Sequence, residues 1–208
     1  MKLLVTPGMG IGPEVTARAL AELGERESFE LLGDGAAIRA ALDEHGVNAP
    51  IVDLCGREEP APILAVREAA QRCARGEGDA MVTGPIHKGR LIAQGFNHMG
   101  HTDMLGDVFG VDPVMAFAGG TIRVALVTTH IELAAVRENI TAHRVRYVVQ
   151  TSNAALRADL GIAAPRLALC GLNPHAGEGG ELGRTELDVL APVAKRLREE
   201  GIDVVGPI

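Results

Sequence analysis

The chain has 208 residues, of which 47% are hydrophobic, 23% are charged and only 2% are aromatic. That length supports one large domain or two small ones, and that hydrophobic content supports a sizeable core, which argues against disorder. A formal net charge of −7 and the scarcity of aromatic side chains argue against nucleic-acid binding, which needs basic and stacking side chains.

Strand-like and helical patterns alternate along the chain. Short apolar runs predict strands, and apolar residues at every third or fourth position predict helices. The predicted strands are Leu3–Thr6, Phe29–Leu32, Ile51–Leu54, Ala80–Thr83, Val114–Ala118, Ile122–Thr129, Leu167–Cys170 and Asp203–Val205. The predicted helices are Pro13–Leu23, Ala36–His45, Pro62–Arg75, Thr141–Leu160 and Arg184–Glu200. This alternation predicts an α/β protein with a largely parallel sheet.

The composition of the chain changes after Gly84. We therefore predict a first α/β lobe over residues 1–84 and a second over residues 85–208. The chain stops at Gly-Pro-Ile, directly after a predicted strand and a turn signal. A domain seldom ends where an element has just begun, so we expect the native protein to be longer.

Cysteine usage and hydropathy predict a cytoplasmic location. Cys55, Cys73 and Cys170 are widely spaced and odd in number, which excludes a disulfide framework and a structural zinc knuckle. The N-terminal apolar stretch is too short for a signal peptide, and no run is long enough to span a membrane. We therefore expect a reducing compartment and no membrane partner.

Three histidines are predicted just past the carboxyl ends of strands. His87 lies in AMVTGPIHK, His130 ends IRVALVTTH, and His175 ends LALCGLNPH. Ligands bind at this edge of open α/β sheets, and neutral imidazole is a common ligand of divalent transition metals. A structural, hydrogen-bonded histidine is an equally good interpretation for this group. The carboxylates available nearby are Asp103, Glu178 and Glu181, and the sequence alone does not place them within reach of a metal.

Two loops carry further candidate residues. GMGIGPE, residues 8–14, follows a strand, but its GxGxG spacing differs from the dinucleotide fingerprint. A tight turn is therefore at least as good an interpretation as a phosphate site. TGPIHKG, residues 83–89, presents Lys88 after a Gly-Pro turn. Lys88 is either a contact for an anionic substrate or a surface lysine at the start of a helix.

Together the motifs resemble those of one family, the 4-hydroxythreonine-4-phosphate dehydrogenases. The matching stretches occur in family order and are TPGMGIGPE, TGPIHKG, GHTDML, RVALVTTH, CGLNPHAGEGGELGRTE and GIDVVGP. LNPHAGEGG and TGPIHK are specific, whereas GIGPE is shared with the metal-dependent dehydrogenases of the isocitrate and isopropylmalate type. The resemblance implies the two-lobed α/β fold of that group, and a homodimer with active sites at the subunit boundary.

The resemblance also implies roles for individual residues. His130 and His175 correspond to metal ligands, and His101 and Thr102 of GHTDML correspond to substrate contacts. The implied metal is a divalent ion such as Zn, Mg or Co, and the implied cofactor is NAD or NADP. Catalytic and cofactor-binding residues are not assigned. The glycines after His175 are expected to let the backbone approach the ligand closely.

The implied reaction is a metal-assisted oxidation of 4-phosphooxy-threonine by NAD, followed by decarboxylation, in pyridoxal 5'-phosphate biosynthesis. Two departures from the family pattern bear on it. The loop TPGMGIGPE is shorter than its family counterpart. The family's third metal histidine, in a YHDQG motif, and its glycine-rich dinucleotide segment have no counterpart in these 208 residues. We therefore expect a fold that is incomplete at the C-terminus and little or no activity from this chain alone.

Other functions stay open. A phospho-threonate dehydrogenase and an aromatic cis-dihydrodiol dehydrogenase are close relatives that share the motifs. A truncated, non-catalytic remnant would keep the fold and the dimer surface without turnover. A metal-dependent hydrolase would use the same histidines, although the chain carries no Ser/His/Asp or paired-carboxylate pattern that favours it.

Overall fold

A computed structural model describes residues 1–24, 28–93 and 100–208, except for the side chain of Lys88. The described residues form two compact units, Met1–Pro113 and Val114–Ile208. The sequence predicts a division after Gly84, whereas the two units of the structure divide after Pro113. No helix in these described ranges is long and apolar enough to cross a membrane.

The first unit is built on a parallel sheet of four strands. Its strands are β1 Lys2–Thr6, β2 Ser28–Gly33, β3 Ile51–Asp53 and β4 Ala80–Thr83. They lie side by side in the order β3-β2-β1-β4, and each neighbouring pair is parallel. The helices of this unit are α1 Gly12–Leu23, α2 Gly35–Glu44, α3 Ala61–Ala74, α4 Lys88–Ile92 and α5 His101–Phe109. The predicted α/β class with a largely parallel sheet is confirmed.

Helices cover both faces of this sheet. Val5 and Leu31 pack with α1 and α2 on one face, and their chain neighbours Leu4 and Leu32 pack with α3 on the other. Successive strand residues point to opposite faces, so a strand between two helix layers is mostly apolar on both faces, and β2 departs from this only at its first residue and at Glu30. This is why the sequence shows these strands as short continuous apolar runs.

The helices α4 and α5 belong to the first unit because they share its core. Leu91 of α4 and Met104 of α5 are buried against Ile63 and Val66 of α3. This apolar contact accounts for the position of the boundary after residue 113 rather than after Gly84. His101 and Thr102, which begin α5, therefore lie in the first unit.

The second unit contains two small sheets and three α-helices. Strands β5 Ala116–Gly119 and β6 Ile122–Ala125 form an antiparallel ribbon, and β7 Arg166–Ala168 and β8 Asp203–Val205 form a parallel pair. The helices are α6 Val136–Asn139, α7 Ala142–Ala158 and α8 Ala191–Glu199. The core lies between α7, α8 and β8, and its buried members include Val145, Val149, Leu197 and Val204.

The predicted strand Ile122–Thr129 is shorter in the structure and ends at Ala125. The last backbone hydrogen bond between the two strands of the ribbon runs from the Leu126 N–H to the Met115 carbonyl at 2.9 Å. The partner strand starts shortly after Pro113, which lacks an N–H group, so pairing cannot extend much further. The segment that carries His130 is therefore irregular backbone and does not belong to a parallel sheet.

Candidate active site

The four predicted site residues are divided between the two units. His101 and Thr102 lie in the first unit, and His130 and His175 lie in the second. Across the described ranges, no three His, Cys, Asp or Glu side chains form a group that could hold a metal ion. The two histidines of the second unit thus come without a third protein ligand among the described residues.

The first turn of α5 positions His101 and Thr102. The helix starts after Gly100 and carries Asp103 in its first turn. The half-buried ring of His101 lines a small apolar pocket, together with Pro62, Ile63, Val66, Ile86, Leu91 and Met104. The first N–H groups of a helix have no intrahelical partner and favour anions. This end of α5 therefore combines an imidazole, a hydroxyl and a positive helix terminus.

His130 occupies an unusual backbone conformation. Its φ angle is +53°, in the left-handed region, and its side chain is exposed. The Nε of Arg144, on α7, donates to the carbonyl of Val127 at 2.9 Å and so anchors the segment that leads to His130. Non-glycine residues in this region are uncommon and cluster at functional sites.

His175 begins a left-handed turn. The φ angles of His175, Ala176, Gly177, Glu178 and Gly179 lie between 45° and 83°. For a residue with a side chain, this conformation costs roughly 1–2 kcal/mol. Three residues of the turn carry side chains, so the surrounding structure must hold it in place. The side chain of His175 is exposed.

The buried carboxylate of Glu186 holds the backbone that leads into this turn. Glu186 is 2% exposed. Its Oε1 accepts hydrogen bonds from the N–H groups of Leu172 and Asn173, both at 2.7 Å. Its Oε2 accepts one from Asn173 Nδ2 at 2.8 Å. Burial alone would raise the pKa of Glu186, but the hydrogen bonds from Asn173 and Leu172 outweigh it, and the pKa lies below its ordinary value.

Two glycines of this loop make room for that carboxylate and for the Asn173 side chain that binds it. A Cβ atom on Gly177 would lie 2.9 Å from Glu186 Oε2 and 2.7 Å from the carbonyl oxygen of Gly183. A Cβ atom on Gly183 would lie 2.6 Å from Asn173 Nδ2. The space beside both glycines is therefore filled by other groups of the protein. Sequence reasoning did not assign Glu186, although this residue ends the motif CGLNPHAGEGGELGRTE. The available signal was a glutamate directly before the apolar stripe of a helix.

The remaining candidates have structural roles or exposed positions. The Nδ1 of His87 accepts a hydrogen bond from the Arg90 N–H at 3.3 Å, so His87 caps the start of α4. The side chain of Lys88, which the sequence offers as an anion contact, lies outside the described part. The three carboxylates that the sequence offers to a metal are exposed, namely Asp103, Glu178 and Glu181.

The loop GMGIGPE forms a tight turn between β1 and α1. The Met9 N–H donates to the Pro85 carbonyl at 2.8 Å. A Cβ atom on Gly12 would lie 1.8 Å from the carbonyl oxygen of Pro7. The Met9 bond thus joins the two loops at this edge of the sheet, whereas the glycine at position 12 is required by the close approach of Pro7 within its own loop.

The fold and these residues define a class, an α/β protein with polar side chains in the loops that follow its strands. The family model of the pyridoxal phosphate biosynthetic protein PdxA matches residues 42–208. A 4-hydroxythreonine-4-phosphate dehydrogenase from Stenotrophomonas maltophilia (strain R551-3) is 39% identical over an alignment of 237 residues. The alignment covers all of this chain and 72% of that protein. The chain belongs to the PdxA family.

Solved structures support the same assignment. The 4-hydroxythreonine-4-phosphate dehydrogenase of Klebsiella pneumoniae superposes with a TM-score of 0.85 at 27% identity, over 99% of this chain and 73% of that one. A terephthalate 1,2-cis-dihydrodiol dehydrogenase of Burkholderia xenovorans LB400 has a TM-score of 0.71 at 28% identity, over 100% and 73% of the two chains. The expected family and fold are confirmed, and the protein is an oxidoreductase.

Proposed function

We propose that the protein oxidises 4-phosphooxy-threonine with NAD or NADP and a divalent metal ion, and that the keto acid formed then loses CO₂. One observation carries the site assignment. Among the described residues, only four non-glycine residues have a positive φ angle, and two of them are His130 and His175. These are the histidines that the motifs single out, and strained backbone of this kind is retained where function requires it.

The donors present fit a divalent transition metal. Both imidazoles are exposed, and neutral imidazole suits Zn and related ions. His130 and His175 would hold the ion, and oxygen donors such as water would take the remaining positions. When bound, the ion would polarise the substrate hydroxyl and stabilise negative charge that develops on the substrate.

His101 and Thr102 would bind the phosphorylated substrate. The positive end of α5 attracts an anion, and the imidazole and hydroxyl orient it. A bound nicotinamide would supply the hydride acceptor for the carbinol carbon, and the hydroxyl proton would be released. The resulting β-keto acid would then release CO₂: its bond to the carboxylate carbon breaks, the electron pair forms an enolate, and a proton completes the product.

An aromatic cis-dihydrodiol dehydrogenase is the second candidate. It is supported by the likeness to the Burkholderia xenovorans enzyme, at a TM-score of 0.71. The 39% identity to the Stenotrophomonas maltophilia 4-hydroxythreonine-4-phosphate dehydrogenase, against 28% to the Burkholderia xenovorans enzyme, favours the phosphorylated substrate. The two candidates differ in whether the substrate carries a phosphate group, so a substrate panel separates them.

The test is formation of reduced nicotinamide from 4-phosphooxy-threonine, phospho-threonate or terephthalate cis-dihydrodiol, with Zn, Mg or Co present. The sequence predicts little activity for the 208 residues alone, so the complete gene product is assayed beside them. We expect turnover with 4-phosphooxy-threonine only. Turnover with another substrate would replace the proposed one, and no turnover by the complete protein would contradict an active dehydrogenase.

Four variants test the residues. His130→Ala and His175→Ala should lose bound metal and turnover together. His101→Ala and Thr102→Val should keep the metal and lose turnover on the order of a hundredfold, because one transition-state contact is worth about 3 kcal/mol. His143→Ala, at an exposed position of α7, is the matched control. Normal metal content in both metal-site variants would contradict the assignment.

We further propose that the β5–β6 ribbon contacts a second copy of the chain in a homodimer. The pairing of Phe117 with Val124 and of Gly119 with Ile122 places three apolar side chains on one face. They are 59% (Phe117), 69% (Ile122) and 44% (Val124) exposed. An exposed apolar face on a two-stranded ribbon marks an interaction surface.

Sedimentation equilibrium tests the homodimer. Ile122→Ser should dissociate it, whereas Leu23→Ser, at an exposed apolar position of the first unit, should leave it intact. A monomeric wild-type protein, or a dimer that Ile122→Ser does not weaken, would contradict this surface.

A further inference from the structure

Glu186 connects a packed helix to the loop that carries His175. Glu186 begins a π-helical turn, Glu186–Leu190, which runs directly into α8. The same helix buries Val193 and Leu197 in the core of the second unit. One end of the connection is therefore anchored by apolar packing, and the other end is the hydrogen-bonded backbone at residues 172 and 173.

We propose that Glu186 is the positioning residue of His175, acting through the backbone of Leu172 and Asn173. Asn173 has an extended backbone conformation and is followed by Pro174. His175 comes next and is the first residue of the turn with a left-handed φ angle. Residue 173 is held to one carboxylate by its backbone N–H and by its side-chain amide, which leaves little freedom in the direction of the next residues. The direction in which the side chain of His175 leaves the backbone is thereby set before any ligand arrives.

The chemistry of the contact favours a carboxylate. All three hydrogen bonds run from amide donors to oxygen. A glutamine in this place would offer one neutral oxygen and one NH₂ group, so it would weaken the two backbone contacts and would keep the third only if Asn173 turned its side-chain amide over to present Oδ1. An aspartate would keep the charge and both oxygens on a shorter side chain. Glu186→Asp is therefore the conservative variant that should restore part of the effect.

Asp188 provides the matched control. It lies on the same turn, two residues further along, and its carboxylate pairs with Arg184 at 2.8 Å on the surface. Its side chain is 53% exposed. Asp188→Asn removes a carboxylate from this turn without touching Leu172 or Asn173.

The experiment is a Co²⁺ titration followed by histidine-selective NMR, on wild-type protein and the variants Glu186→Gln, Glu186→Asp and Asp188→Asn. The metal part of the proposal rests on the function proposed above. We expect the Co²⁺ concentration that half-broadens the His175 imidazole signal to rise at least tenfold in Glu186→Gln. The rise should be smaller in Glu186→Asp and absent in Asp188→Asn. A folded Glu186→Gln protein with the wild-type titration would overturn the proposal.

Two further outcomes are decisive. If Co²⁺ leaves His175 unaffected in the wild type, the metal assignment fails, and the positioning role is judged without metal. The positioning role then requires that the His175 ring signal differs from wild type in Glu186→Gln and is unchanged in Asp188→Asn. A Glu186→Gln signal equal to that of wild type would overturn the proposal. If Glu186→Gln does not fold, Asn173→Ala, which removes one of the three bonds, should change the same His175 readout. No change there would overturn the proposal.

Discussion

Glu30 and Glu186 are two largely buried carboxylates that the protein stabilises in different ways. Glu30, on β2, accepts hydrogen bonds from Arg72 Nη1 at 3.1 Å and from Arg72 Nη2 at 2.8 Å. Lys2 Nζ lies 2.9 Å from Glu30 Oε2. The three bonds of Glu186 come from neutral amide groups instead. Glu30 thus ties two strands to α3 through charge, whereas Glu186 fixes the direction of a loop backbone.

The difference separates stabilising a fold from specifying a conformation. Long cationic side chains can follow a carboxylate that moves, so their main effect is on the free energy of unfolding. Backbone N–H groups cannot follow without a change in φ and ψ. A carboxylate that accepts from them therefore selects one loop conformation. The loss in unfolding free energy should therefore be largest where packing around Glu186 is tightest, and smallest at the exposed ion pair beside it.

The largest effect is expected at Gly177. In Gly177→Ala the new methyl group would lie 2.7 Å from a backbone oxygen and 2.9 Å from Glu186 Oε2, so we expect a loss of about 3 kcal/mol in unfolding free energy. Gly179→Ala is the control, because its φ is also positive (+65°) and a Cβ atom there has nothing within 4 Å. It should lose only about 1 kcal/mol. Equal losses in chemical denaturation would show that the loop does not pack on Glu186.

Glu30→Gln should destabilise the first unit by about 2 kcal/mol, because hydrogen bonds to a charged partner in a partly buried site are lost. Glu68→Gln is its control. Glu68 lies 4.0 Å from Arg75 on the surface, with a side chain that is 41% exposed, and its loss should stay below about 0.5 kcal/mol. Chemical denaturation measures both, and a Glu30→Gln loss as small as that of Glu68→Gln would contradict the ion-pair account.

The Glu30 ion pair also predicts a pH dependence. The hydrogen bond from Arg72 holds the pKa of Glu30 below its ordinary value of 4.5, and Lys2 adds to this effect against the opposing influence of burial. A lowered folded-state pKa gives stability that is complete above the ordinary value and is lost as pH falls through the folded-state pKa. The difference in unfolding free energy between wild type and Glu30→Gln should therefore shrink below pH 4.5. A difference that does not change with pH would contradict this.

Asp188→Asn should have the smallest effect. The Arg184 and Asp188 side chains form an i,i+4 pair that is 65% and 53% exposed, and such pairs contribute about 0.3–0.5 kcal/mol. A loss above about 1 kcal/mol in thermal or chemical unfolding would be too large for such a pair. It would show that the turn depends on more than the buried carboxylate two residues earlier.

The parallel sheet of the first unit could be predicted from sequence because burial on both faces leaves continuous apolar runs, as at Leu3–Thr6. The same signal overextended the strand that begins at Ile122. Hydrophobicity does not distinguish a strand paired in a sheet from an exposed apolar ribbon. The helix at His101 was missed because its start follows Gly100, which supplies no capping side chain.

The candidate histidines could be predicted from their motifs, but their setting could not. The positive φ angles at His130 and His175 leave no mark in hydrophobic periodicity. The role of Glu186 depends on a loop that folds back to bring residues 172 and 173 to its carboxylate. Such a contact is set by backbone direction rather than by spacing along the chain.

The central claim is that His130 and His175 bind one divalent metal together. The most direct measurement is the Co²⁺ titration of the seven histidine side chains by NMR in wild type, His130→Ala and His175→Ala. We predict that the signals of His130 and His175 broaden together at the lowest Co²⁺ concentration, and that removing either ring abolishes the early response of the other. Two rings that respond independently, or no earlier than the exposed His143, would contradict the claim.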